Sequence, residues 1–511
     1  MNIFKEKVQI NAPSKSKFDL SHEKKLSAEM GKLIPILVQE TLPGDNFQLN
    51  TDLLIRMAPM LAPLFHKIDV YTHFFFVPNR IIWSEWETFI TGGSDGLQAP
   101  VHPTLTWGNG TLGPQVEKES LADYLGLPWA ELATSIQSIQ ANALPFRAYA
   151  EIYNEYYRDE NLVPKIAYSK DSGDKIYTHA DFIALTQLQT RAWEKDYFTT
   201  ALPFAQKGNA AGAPVSYTEG LSSTAKIAST GAINPSQTGL VTGLDGHLSA
   251  NPSGVPTRLE TEASVLITEL RKAARLQEFL EAAARGGHRL TEWILHVFGV
   301  QSSDARIQRP EYLGGGKTPI SISEVLSNFQ FSGDAEGKPQ GNQSGYGIAI
   351  GNTHGFSKSI EEHGFIIGIM SIIPKANYFQ GYEKMWKRPT RFDYYIPQFA
   401  HLGEQPVTTG EVYYDYQAAN AQANEDTFGY QSRYAEYKFK LSTIHGEFRD
   451  TLQYWHMARR FAGPPALNQT FIECVPTKDI FAVPAENSFF VQIWHDLSAL
   501  RPLPYFSNPK L

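Results

Sequence analysis

Strand-like runs stand at both ends of this 511-residue chain, and the regular β–α alternation of a parallel sheet is missing between them. Near the start, LIPILVQE (Leu33–Glu40) meets the turn Pro43-Gly44-Asp45, and IDVYTHFFFV (Ile68–Val77) is dense in aromatic and β-branched residues. Towards the end come HGFIIGIMSII (His363–Ile373), Tyr430–Leu441, Phe471–Val475 and Ser488–His495. A closed sandwich whose ends come together, with its loops grown into insertions, satisfies this order. A doubly wound α/β sheet does not. A 12% aromatic fraction with 39 glycines and 31 prolines favours such a loop-rich β architecture, and 42% hydrophobic residues supply its core.

Between the strand runs the chain changes character several times. IIWSEWETFI has helical spacing after Asn79, and Leu144–Leu162 places Phe146, Tyr149, Tyr153 and Tyr156 or Tyr157 on one helical face. Residues 208–256 hold only three charged side chains (Glu219, Lys226, Asp245) and one aromatic, Tyr217. Such a segment buries too little to order itself, so it is either a linker or a surface excursion ordered by neighbouring copies. Residues 328–360, rich in Gly, Ser and Asn, read as a further loop. Residues 1–25 form a mildly basic arm, either frayed or laid on a polyanion.

Charge and motifs exclude more than they select. A net charge of −8 carries no global nucleic-acid footprint, though a local basic surface remains open. Cys474 is alone, which rules out an intrachain disulfide or a cysteine metal cluster, and its apolar neighbours suggest a buried strand thiol. The first residues lack a signal-peptide core and Ile366–Ile373 is too short to cross a bilayer, so a cytoplasmic origin without membrane insertion is expected. Gly316-Lys317-Thr318 has Glu311 where a phosphate-binding loop needs glycine, and Gly345-Tyr346-Gly347 has Ile350 where a dinucleotide fingerprint needs one. Both read as plain loops. There is no HExxH and no nominated carboxylate pair. No enzyme, cofactor or metal is expected.

The stretch Glu262–Gly316 is rich in arginine and at first suggests a nucleotide site. Its apolar residues, among them Leu266, Leu270, Ala273, Leu280 and Ala284, share one helical face. Arg275–Glu278 and Glu281–Arg285 stand at bridging spacing, and Gly286 supplies a helix stop. A structural or interface helix fits better than a DNA-contacting one.

The run ARGGHRLTEWILHVFGVQSSDARIQRPEYLGGG in that stretch resembles the major capsid proteins of the Microviridae, and of their gokushovirus-like branch. The resemblance extends through ILVQETLPGDNFQLNTDLLIRMAP, VYTHFFFVPNRIIW, LPFRAYAEIYNEYYRDENL, DYFTTALPFAQKG, EEHGFIIGIMSI, RFDYYIPQFAHLGEQPV and FGYQSRYAEYKFKLSTIHGEFR. It implies a mainly β fold, an eight-stranded antiparallel jelly roll of viral capsid type with large helical and loop insertions, spanning 1–511 as one domain. It implies sixty copies in a T=1 shell around circular single-stranded DNA, with residues 208–262 forming a host-contacting protrusion at the three-fold axes. The partners implied are the chain itself, the genome, a small basic DNA-packaging protein, a pilot protein and a host surface receptor. The location implied is the virion, after synthesis in a bacterial cytoplasm. On the arm, Lys5, Lys7, Lys15 and Lys17 are candidate DNA contacts. A reading of another class, a carbohydrate-active β-sandwich, is suggested by the aromatics and carboxylates but opposed by the missing signal peptide and the single cysteine.

Overall fold

The computed structural model describes residues 14–107, 116–128, 138–173, 179–208, 216–217, 263–264, 267–286, 289–301, 303–326, 343–417 and 421–506. The chain divides into two compact units, residues 1–205 with 287–511 and residues 206–286. In chain order the strands are β1 (Ser16–Asp19), β2 (His22–Ala28), β3 (Ile34–Thr41), β4 (Asn46–Met57) and β5 (Ile68–Pro78). Short pairs follow, β6 (Thr104–Trp107) with β7 (Ile139–Asn142), and β8 (Ser216–Tyr217) with β9 (Ala263–Ser264). Next come β10 (Glu311–Pro319), β11 (Ser321–Leu326), β12 (Gln343–Ser359) and β13 (Gly364–Pro374). The last are β14 (Glu404–Thr408), β15 (Thr427–Ser432) and β16 (Phe489–Arg501).

The larger unit is built on two antiparallel sheets that share one apolar core. One sheet runs β1–β16–β4–β12–β11, with β2 also beside β16, and the other runs β10–β5–β13–β3. The order β2–β16–β4–β12 against β3–β13–β5–β10 is consistent with a jelly roll. Alternation explains the first sheet. In NFQLNTDLLIRM, Phe47, Leu49, Leu53 and Ile55 point inward, and β16 answers with Val491, Ile493, Leu497 and Ala499. The second sheet does not alternate, because it is covered twice. All eleven residues of β13 are buried: Ile366, Met370 and Ile372 enter the inter-sheet core, while Phe365, Ile367 and Ile369 meet a second cluster. That cluster contains Trp83, Phe146, Tyr149 and Ile152, so the helix Leu144–Ile152 caps the sheet's outer face.

Two buried histidines tie the layers. His495 of β16 contacts the Thr51 hydroxyl at 2.9 Å and, across to the other sheet, the Ile36 carbonyl at 3.2 Å. His354 of β12 contacts the hydroxyls of Thr72 on β5 and Thr318 on β10, the latter at 2.7 Å. Burial holds His495 down to about 4, and His66 and His73 likewise to about 4.

Several expectations need correction. Ser16–Asp19 and His22–Ala28 are strands along β16, so the described part of the supposed arm belongs to the sandwich. Residues 343–359 are a long strand, not loop, and Gly316-Lys317-Thr318 lies in β10. The glycines there make room for neighbours: a Cβ on Gly355 would fall 2.2 Å from the Leu49 carbonyl oxygen. Tyr430–Leu441 is strand only to Ser432; Tyr434 then takes φ 60° and a 3₁₀ turn follows. Phe471–Val475 is no strand, since Asn468 caps a helical turn Gln469–Ile472. Cys474 is buried, just beyond that turn. The long aromatic helix ends at Ile152 and continues as a π-helical turn, Tyr153–Tyr157. In the smaller unit, Ile267–Gly286 is a helix with the Arg275–Glu278 pair formed, but Leu270, Leu276 and Phe279 are exposed along it. The helix stop expected at Gly286 adjoins residues outside the described set.

Two measurements probe this fold. The buried histidines are neutral when folded and take up protons on unfolding below about pH 6.5, so their stability is full above that pH and lost as pH falls toward 4. Thermal unfolding should therefore shift to lower temperature between pH 7 and pH 5, with a shallower dependence in His495→Leu after allowance for its lower baseline. Phe74, fully buried with its ring 5.5 Å from Phe356, should cost about 3–5 kcal/mol in urea unfolding when changed to Ala.

Candidate nucleic-acid interface

The lysines nominated from the arm are dispersed. Lys5 and Lys7 lie outside the described residues. The Lys15 amine donates to the Gly44 carbonyl at 2.5 Å. Lys17 is exposed in β1 opposite Leu500, and its carbonyl accepts from the Tyr505 hydroxyl at 2.6 Å. Lys24 is turned into the fold, donating to the carbonyls of Pro35 at 3.0 Å and Tyr124 at 2.7 Å, and burial lowers its amine to about 8.

A denser cluster of cations and rings lies in Lys384–Phe399, KMWKRPTRFDYYIPQF. Sixteen residues there hold four cations, five aromatic rings and a single carboxylate. Pro389 and Pro397 keep the segment out of regular structure, and it folds as three 3₁₀ turns, Lys384–Trp386, Arg391–Asp393 and Pro397–Phe399. The middle turn is closed by Asp393, which accepts from the Thr390 N–H at 2.8 Å and its hydroxyl at 2.7 Å.

One arginine anchors the segment. The Arg388 side chain is buried; it donates to the Asp393 carbonyl, pairs with Glu436 at 3.4 Å and lies over the rings of Tyr437 at 4.6 Å and Tyr394 at 5.3 Å. Arg433 reaches across from the other segment, donating to the Phe392 carbonyl at 2.9 Å and lying 4.9 Å over Tyr434. The left-handed backbone at Tyr434 turns its ring to meet Tyr395, with centroids 5.2 Å apart.

What remains at the surface is positive and aromatic. Trp386 is 76% exposed, and Tyr394, Tyr395 and Tyr437 are each more than half exposed. Glu383 and Glu425 are engaged by Lys440 and Lys387, whereas Lys384, Arg391, Arg433 and Lys438 have no carboxylate partner among the described residues. Rings on which bases stack, beside cations that track phosphates, are the two elements of single-strand binding. The sequence carried this signal as local composition, hidden by the acidic balance of the whole chain.

The arginines of the central stretch behave differently. Arg289 and Arg309 line a cavity of about 1000 Å³ with Tyr71, Tyr157 and Arg191. There Arg309 pairs with Asp304 at 2.7 Å, Arg289 with Glu292 at 3.1 Å, and Arg191 lies 4.3 Å over Tyr71. Those charges hold the fold together. Among the described residues no group of His, Cys, Asp or Glu could hold a metal, and no helix is long and apolar enough to cross a membrane.

Comparison with known proteins shows the family. The family model described as Capsid protein (F protein) matches residues 6–511. Capsid protein VP1 of Chlamydia phage 1 is 35% identical, covering 97% of this chain and 96% of that protein. Capsid protein VP1 of Bdellovibrio phage phiMH2K is also 35% identical, over 97% and 95%, and that of Spiroplasma virus 4 is 30% identical, over 97% and 95%. The Microviridae resemblance thus stands, and the chain belongs to the phage capsid protein (F protein) family, self-assembling structural components of the virion rather than enzymes.

Proposed function

We propose that sixty copies of this chain build a T=1 icosahedral shell around a circular single-stranded DNA genome, each copy an eight-stranded jelly roll with insertions. The observation that carries the genome-binding part is the anchored surface of Trp386, Arg391, Tyr394 and Tyr395, where exposed rings stand beside cations with no carboxylate partner among the described residues. Lys15 and Lys17, with Lys5 and Lys7 from the arm, add phosphate contacts of the unspecific kind. The segment 208–262 falls within the range of the smaller unit, and we assign it the protrusion at the three-fold axes that meets a host surface receptor. Three copies together bury what one low-charge segment cannot. A small basic DNA-packaging protein and a pilot protein complete the particle, which is formed after synthesis in the bacterial cytoplasm.

Two experiments test this reading. In fluorescence anisotropy with a labelled oligothymidylate, Trp386→Ala should weaken binding by about 1–3 kcal/mol, the usual worth of one stacked base. Arg391→Gln should weaken it more evenly across sequences and reduce the salt slope by about 1. Affinities unchanged in both variants would remove this surface from the interface. Electron microscopy of particles lacking residues 210–255 should show an intact shell without three-fold protrusions; protrusions that persist would refute the mapping.

A further inference from the structure

Beneath the exposed rings lies a small cavity of about 200 Å³ that neither the fold nor the stacking surface requires. Its walls are aromatic: Tyr197, Phe198, Tyr382, Tyr437 and Phe439 line it, with the rings of Tyr197 and Phe439 4.8 Å apart. Three carboxylates line it as well: Glu383, Glu436 and the buried Glu411, which accepts from the Tyr197 hydroxyl at 3.0 Å and from the Thr408 N–H at 3.0 Å. Lys384 and Lys440 also line the cavity. Lys384 donates to the Pro406 carbonyl at 3.2 Å, and the Lys440 side chain is about two-thirds exposed while paired with Glu383.

We propose that this cavity receives one unpaired nucleobase from the strand that runs over the neighbouring surface, a proposal that rests on the nucleic-acid reading above. Size is the first reason. The space admits one planar ring system, whereas a folded chain segment needs the larger clefts typical of ligand sites. Chemistry is the second. Every base has a π-face, so a pocket walled by five rings accepts any of them, and a single strand gives up no pairing when it turns a base inward. Placement is the third: Met385 lines the cavity and directly precedes Trp386, the most exposed ring of the stacking surface, so one strand reaches both. Cations at Lys384 and Lys440 suit the flanking phosphates. Burial raises the Glu411 carboxyl above its ordinary value, and the carboxylates of Glu383 and Glu436 are paired with Lys440 and Arg388.

The full-length chain, bound to an oligodeoxynucleotide carrying 5-iododeoxyuridine and irradiated, tests this by peptide mapping of the adducts. Adducts on Tyr197 or Phe439 are expected, because these rings line the cavity while Trp386 and Tyr394 stand outside it. Met385→Phe, which narrows the cavity, should lower those adducts about tenfold by excluding the stacked base and leave adducts on Trp386 and Tyr394 unchanged. Adducts confined to Trp386, Tyr394 and Tyr395 would overturn the base pocket and leave the surface reading standing. Failure of the strand to bind at all would overturn both. Loss of the cavity adducts on adding a monosaccharide, with the strand still bound, would assign the cavity to a sugar and overturn the proposal.

Discussion

Strand β4 is held between β16 on one side and β12 on the other, segments that lie far along the chain from it. Each pairing closes a very long loop. Because closure entropy grows only slowly with loop length, lengthening those loops costs the sheet little. The helices Asn79–Ile82, Leu144–Ile152 and His179–Thr186, the smaller unit 206–286 and the irregular stretch 375–403 all fall between strands of the two main sheets rather than within them. The inter-sheet core and the histidines 354 and 495 must therefore hold together a frame whose connections are mostly insertion.

The candidate interface shows what such an insertion gains from the frame. Arg388 ties the turn to Glu436, and Arg433 ties the second segment back to Phe392. Two cations are spent internally so that others stay outward. The central cleft is the opposite case, since its arginines face carboxylates and aromatic rings of the same chain.

Much of the frame was legible in the sequence. His363–Ile373 falls within one residue of β13, and Ile68–Val77 nearly coincides with β5, because both are long apolar runs that only a doubly covered strand explains. Glycine misled at 343–359, where it signals close approach of neighbouring backbone rather than a loop. Tyr430–Leu441 alternates like a strand, yet alternation says nothing of the left-handed turn that tertiary contacts impose at Tyr434. For the proposed binding surface, the lysines near the terminus offer charge alone. The informative feature was the interleaving of charge with rings in 384–399, and whether those rings are exposed depends on the Arg388 anchor, a contact across some fifty residues of chain.

The place of β16 has a consequence for how the protein is made. A ribosome releases Phe489–Arg501 after every strand it pairs with, so during synthesis β4 waits with one edge open and β1 and β2 wait with no partner. A chain cut short before this strand leaves that edge unsealed and the apolar residues inside it wet. Closure of this sheet therefore waits for Phe489–Arg501, and a product cut short before that strand cannot complete the frame.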